Sequence, residues 1–148
     1  MTNPIAFLDV TVEPTANLPI YMTPGAAGFD FYSHNTHPIE LYPGNSCMVP
    51  TGIRVAVPEG FELQIRSRSG LCAKHGVFVL NGVGTVDSDY RGEITILLAN
   101  FSRMTFIIEP GIRVAQGVIN KVERVILRQV EVLPESERGA AGWGSTGS

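Results

Sequence analysis

Phe61-Glu62-Leu63-Gln64-Ile65 alternates apolar and polar residues without a break. Side chains two positions apart lie on the same face of an extended chain, so this run predicts a half-buried β-strand. The same alternation returns at Ile94, Ile96 and Leu98, and at Ile53, Val55 and Val57 around Arg54. Residues 104–108 and 113–119 continue the series. Between the runs lie turn clusters at residues 23–25, 42–45, 58–60 and 109–111, each holding a Pro and a Gly. Punctuation of this kind belongs to all-β architectures. Only residues 69–75 read as a helical turn. The expectation is an all-β, mostly antiparallel β-barrel or jelly-roll-like sandwich.

The chain has 148 residues, a length suited to one domain. Hydrophobic residues make up 44% and charged residues 17%, which argues for a folded core and against disorder. The net charge is −3 and no basic run is present, so the electrostatic footprint of a nucleic-acid polymer binder is missing. Lys74 and Lys121 are the only lysines, set against nine arginines. Arginine's planar fork suits phosphate and carboxylate, although compositional bias explains the skew equally well. Cys47 and Cys72 form no CxxC pair and read as reduced thiols. Neither a secretion signal nor an apolar stretch of the ~20 residues needed to cross a bilayer is seen. A cytoplasmic location is expected, or a nuclear one if the host is a eukaryote or its virus.

Three segments carry residues suited to chemistry. Residues 81–93 (NGVGTVDSDYRGE) combine Gly82 and Gly84, which let backbone approach a ligand, with Asp87 and Asp89. Asp87 suits a general base, if it reaches a water, or a carboxylate that caps a turn. Residues 66–76 (RSRSGLCAKHG) gather Arg68, Ser69 and Gly70, which suit a phosphate cradle. Ser69 equally suits an ordinary helix N-cap. Residues 138–148 (RGAAGWGSTGS) offer Arg138, flexible glycine backbone, the hydroxyls of Ser145 and Thr146, and the only tryptophan, Trp143. Those groups suit a phosphate chain and a planar base. The spacing is not that of a Walker P-loop. His34 and His37 lack the cysteines or third histidine of a zinc site.

Taken in order, five segments resemble the trimeric dUTP diphosphatase (dUTPase) family. They are residues 26–33 (AAGFDFYS), 68–70 within SRSGLCAKHG, 81–93, 111–117 (GIRVAQG) and 138–147. Residues 50–53 (PTGI) fit between the first two. The resemblance implies a jelly-roll barrel over residues 1–137 and a flexible C-terminal arm over 138–148. It implies a homotrimer whose active sites are shared, with the arm closing over a site built largely by other subunits. The implied reaction is Mg²⁺-assisted hydrolysis of dUTP to dUMP and diphosphate, which keeps uracil out of DNA and supplies dUMP for thymidylate.

Carried onto this chain, the resemblance makes Asp87 the base that activates the attacking water. Asn81 and the backbone of Gly84, Thr85 and Val86 would read the uracil, and Tyr90 would pack under the deoxyribose. Arg68, Ser69, Gly70 and Gln116 would hold phosphates. Arg138, Ser145 and Thr146 would hold the γ end while Trp143 covers the base. Asp30 would contact the metal's water shell or support the site. Two positions depart from the family's usual residues: Trp143 where Phe is common, and Ala141 where Gly is. Two rivals stand beside this reading, a dCTP deaminase of the same fold and a non-catalytic binding or regulatory relative.

Overall fold

The alternating run at residues 61–65 lies in strand β6 (Phe61–Arg66) of a computed structural model that describes residues 7–142. Leu63 and Ile65 point into the core while Glu62 and Gln64 stay partly exposed. Ten further strands surround it: β1 (Asp9–Val12), β2 (Ile20–Tyr21), β3 (Phe29–Tyr32), β4 (Ile39–Leu41), β5 (Ser46–Ala56), β7 (Val77–Val79), β8 (Gly84–Val86), β9 (Glu93–Asn100), β10 (Phe106–Ile108) and β11 (Arg113–Lys121). One short helix, α1 (Ser69–His75), matches the expected helical turn.

All recorded strand pairs are antiparallel. A four-stranded sheet runs β1-β5-β9-β7, and a five-stranded sheet runs β2-β3-β11-β6-β8. The pair β10-β4 forms a third, small sheet. Their inner faces share one apolar core. Val49, Ile53 and Val55 of β5 and Ile94, Ile96 and Leu98 of β9 meet Phe29, Phe31, Leu63, Ile65 and Ala115 there. The expected all-β, mostly antiparallel architecture is therefore observed. Among the described residues, no helix is long and apolar enough to cross a membrane, and both cysteines are free.

One local detail differs from the sequence expectation. The strand expected at 104–108 begins only at Phe106, because Ser102 and the buried Asn100 draw Met104 into a turn by donating to its carbonyl. Strand β3 has no clean alternation, because Phe29, Asp30 and Phe31 are all buried.

The register around β6 is fixed by two glycines. Ile65 lies opposite Gly84 on β8 and opposite Gly117 on β11. A Cβ on Gly117 would fall 2.7 Å from Phe29, 2.8 Å from Phe31 and 2.9 Å from Leu63. The bare backbone there lets both phenyl rings close over β11. A Gly117→Ala variant is expected to lose about 1–3 kcal/mol by overpacking. Urea unfolding would show a lower midpoint with an unchanged slope.

Candidate active site

Residues 81–93 form an arm that runs from the turn after β7 through β8, which pairs with β6, to the first residue of β9. Gly84 is buried against Ile65, so the arm leaves the core at a defined point. Beyond it, Asn81, Gly84, Thr85, Val86, Asp87 and Tyr90 line one cavity of about 280 Å³. Met48, Ile65, Val79, Glu93, Ile94, Thr95 and Leu97 complete the wall. The residues expected to read base and sugar within the described chain thus meet the expected base, Asp87, in one place.

Asp87 is exposed. Its backbone carbonyl accepts from the Tyr90 N–H at 3.2 Å, which closes the turn. No described residue hydrogen-bonds to its carboxylate, so the turn-capping alternative finds no support. The other carboxylate in the wall is already committed. Glu93 Oε1 accepts from the N–H groups of Thr51 and Gly52 at 3.1 and 2.8 Å. Of the two carboxylates in this cavity, only that of Asp87 is left without a hydrogen-bond partner among the described residues.

The phosphate-binding candidates gather elsewhere. Arg68, Ser69, Gly70 and Gln116 do not line the cavity. They sit where β6 ends and α1 begins, beside the middle of β11. Gln116 donates to the Ser67 carbonyl at 2.9 Å, and Ser67 Oγ accepts from the Val79 N–H at 2.9 Å. Gly28 leaves room for that glutamine, since a Cβ there would fall 2.9 Å from Gln116 Oε1. Arg68 precedes α1 as its N-cap residue and no side chain caps the helix. The N-cap alternative for Ser69 is therefore not what the chain does; Ser69 and Gly70 are exposed in the first turn.

Asp30 is the hub of this second group. Its Oδ2 lies 3.3 Å from Arg68 Nε and 3.1 Å from Arg113 Nη1. Arg68 also donates to the Arg113 carbonyl at 3.0 Å. One buried carboxylate thus aims two guanidiniums, of which Arg68 alone was expected. Arg113 and Glu93 lie in the segments 111–117 and 81–93, but the local sequence does not show their contacts, because each acts through a partner about forty or more residues away, 83 residues for Asp30 and Arg113. Arg138 donates to the Ala141 carbonyl at 3.0 Å in an exposed turn. Trp143, Ser145 and Thr146 lie outside the described residues. Asp30→Ala would leave two guanidiniums without their shared acceptor. It is expected to cost about 1–3 kcal/mol, read as a lower urea midpoint; an unchanged midpoint would refute the hub.

A family model described as dUTPase matches residues 15–147. The deoxyuridine 5'-triphosphate nucleotidohydrolase of Chlamydia pneumoniae is 52% identical over 138 residues, covering 93% of this chain and 95% of that one. A solved mutant of the phage 80alpha dUTPase is 26% identical, with a TM-score of 0.84 over 96% of this chain and 99% of that one. A second mutant of the Staphylococcus phage 80alpha enzyme, solved with dUpNHpp, gives 25% identity and a TM-score of 0.81 over the same shares of the two chains, 96% and 99%.

Proposed function

This chain belongs to the dUTPase family and is a hydrolase of deoxyuridine triphosphate, and from that premise we propose how its residues divide the work. Asp87 takes a proton from the water that attacks the α-phosphorus, giving dUMP and diphosphate. The observation that carries this role is the exposed carboxylate of Asp87 in a cavity whose other carboxylate is held by backbone donors. Asn81 and the backbone of Gly84, Thr85 and Val86 read the uracil edge. Cytosine presents a donor where uracil has an acceptor, so a buried backbone reader rejects it by leaving groups unpaired, by about 10⁴ or more. Tyr90 packs under the deoxyribose.

Arg68, Ser69, Gly70 and Gln116 hold the phosphates, and Asp30 holds Arg68 in place. Arg138, Ser145 and Thr146 bind the γ end, and Trp143 covers the base. Among the described residues there is no group of three or more His, Cys, Asp or Glu able to hold a metal. That donor set fits Mg²⁺ carried by the triphosphate, because this ion keeps much of its water and binds phosphate oxygens. Both ion pairs of Asp30 use Oδ2, which leaves Oδ1 for a water of that ion's shell. When bound, the ion neutralises phosphate charge that would otherwise repel the attacking oxygen.

The site is proposed to be shared within a homotrimer. Two observations support this: the phosphate group and the Asp87 cavity are separate in one chain, and apolar side chains after β11 lack cover. Val125, Ile126, Leu127, Val132 and Leu133 are 76%, 97%, 90%, 83% and 79% exposed. A run of that kind calls for a partner surface. The cellular roles that follow are removal of dUTP before it enters DNA and supply of dUMP for dTTP. Asp87→Asn is expected to lower kcat by about 10²–10⁴-fold while dUTP binding, measured by calorimetry, holds within a few-fold. Unchanged turnover, or rapid consumption of dCTP with dUTP untouched, would overturn the assignment.

A further inference from the structure

The cavity wall contains a device whose purpose the hydrolysis step does not explain. Strand β5 slips its register against β9 between Pro50 and Arg54. Pro50 faces Thr95 and Arg54 faces Glu93, so residues 51–53 of β5 stand against Ile94 alone. Such a bulge strips backbone donors of their cross-strand acceptors. Glu93 supplies the missing acceptor by receiving the N–H groups of Thr51 and Gly52. Thr51 adds a hydroxyl donated to the Ile94 carbonyl at 2.6 Å. The start of β9 is thereby locked to β5, and Thr51 is 1% exposed at the joint.

That lock has an output on the ligand side. The backbone carbonyl of Glu93 accepts the Tyr90 hydroxyl at 3.0 Å. The tip of the Tyr90 ring reaches over Gly92: a Cβ there would fall 2.5 Å from Tyr90 Cζ, and closer still to the hydroxyl oxygen. Tyr90 is 45% exposed in the cavity wall. One hydrogen bond at its tip and one missing side chain beside it constrain its position. Gly92 has no left-handed backbone angle, so its backbone suits an alanine, and the three atoms nearest an added Cβ all belong to the Tyr90 side chain.

We propose that Glu93 and Gly92 are positioning residues that hold Tyr90 against the sugar and so set discrimination between deoxyribo- and ribonucleotides. The chain of action runs from the β5 bulge to the Glu93 carboxylate, to the Glu93 carbonyl, to the Tyr90 hydroxyl. The inference rests on the reading of Tyr90 as the residue under the deoxyribose. It assigns Glu93 no proton transfer, since its carboxylate is engaged by backbone.

The test compares kcat/KM for dUTP and for UTP in the full-length wild type, Tyr90→Ala, Gly92→Ala, Glu93→Gln and Glu93→Leu. Gly92→Ala is expected to lower the dUTP/UTP ratio by about tenfold or more, the value of one misplaced pocket contact. It should do so with an unchanged urea midpoint, because the added methyl displaces an exposed ring rather than core. Glu93→Gln keeps an oxygen acceptor for both N–H groups and should hold the ratio near wild type, whereas Glu93→Leu should lower it. If Tyr90→Ala abolishes discrimination while Gly92→Ala keeps the wild-type ratio, the positioning inference is overturned and the sugar reading stands. If Tyr90→Ala itself keeps the wild-type ratio, the sugar reading falls and takes the inference with it. Should Glu93→Leu fail to fold, Gly92→Ala still decides.

Discussion

Packing of Ile65 between two glycines is the constraint on which the arrangement of this molecule depends. Gly84 on one side and Gly117 on the other face the same residue of β6. Phe29, Phe31 and Leu63 close over the space that a side chain on Gly117 would fill. A slip of one residue would turn Gln64 inward and Ile65 outward, because strand side chains alternate. Burial of an aliphatic side chain is worth about 1.5–3 kcal/mol, so several such residues lost together would outweigh any gain at the turns. The register that protects the core also sets both parts of the site. Asp30, Gln116 and Arg66 stand in one row across β3, β11 and β6, and the β8 arm departs at Gly84 toward Asp87.

Charge follows from that geometry. On the outer side of the row, Asp30 is buried and answers two arginines. A buried carboxylate without partners would be costly, whereas here each guanidinium is oriented by the same oxygen. In the proposed role of Arg68 as a phosphate ligand, holding it in place beforehand removes an ordering cost from binding. At the cavity the logic is reversed. Glu93 is held by backbone while Asp87 is left facing solvent, so the two carboxylates of the wall have different duties.

The sequence made much of this legible, for physical reasons. Strands β6 and β9 bury one face along most of their length, and their alternation is plain; β5 alternates outside its bulge at residues 51–53. Strand β3 hid because Phe29-Asp30-Phe31-Tyr32 is only four residues long, too short a run to mark a strand by its alternation. Strand β2 has two exposed residues and offers no pattern at all. The candidate site was found through five segments in order, since each segment alone is also compatible with an ordinary turn or cap. Arg113 and Glu93 escaped because their contacts are made across strands. A side chain that acts on backbone forty residues away leaves no mark in its own neighbourhood.

We propose that the working site is assembled from more than one subunit, with Asp87 from one and the arm carrying Arg138 from another. Mixing two inactive variants tests it most directly. Asp87→Asn and Arg138→Ala chains would be unfolded together, refolded as an equal mixture, and assayed for dUTP hydrolysis beside each parent refolded alone. Shared sites predict recovered activity, because some mixed assemblies pair an intact Asp87 with an intact arm. A mixture no more active than its parents, with mixed assemblies demonstrated by mass spectrometry, would contradict the claim.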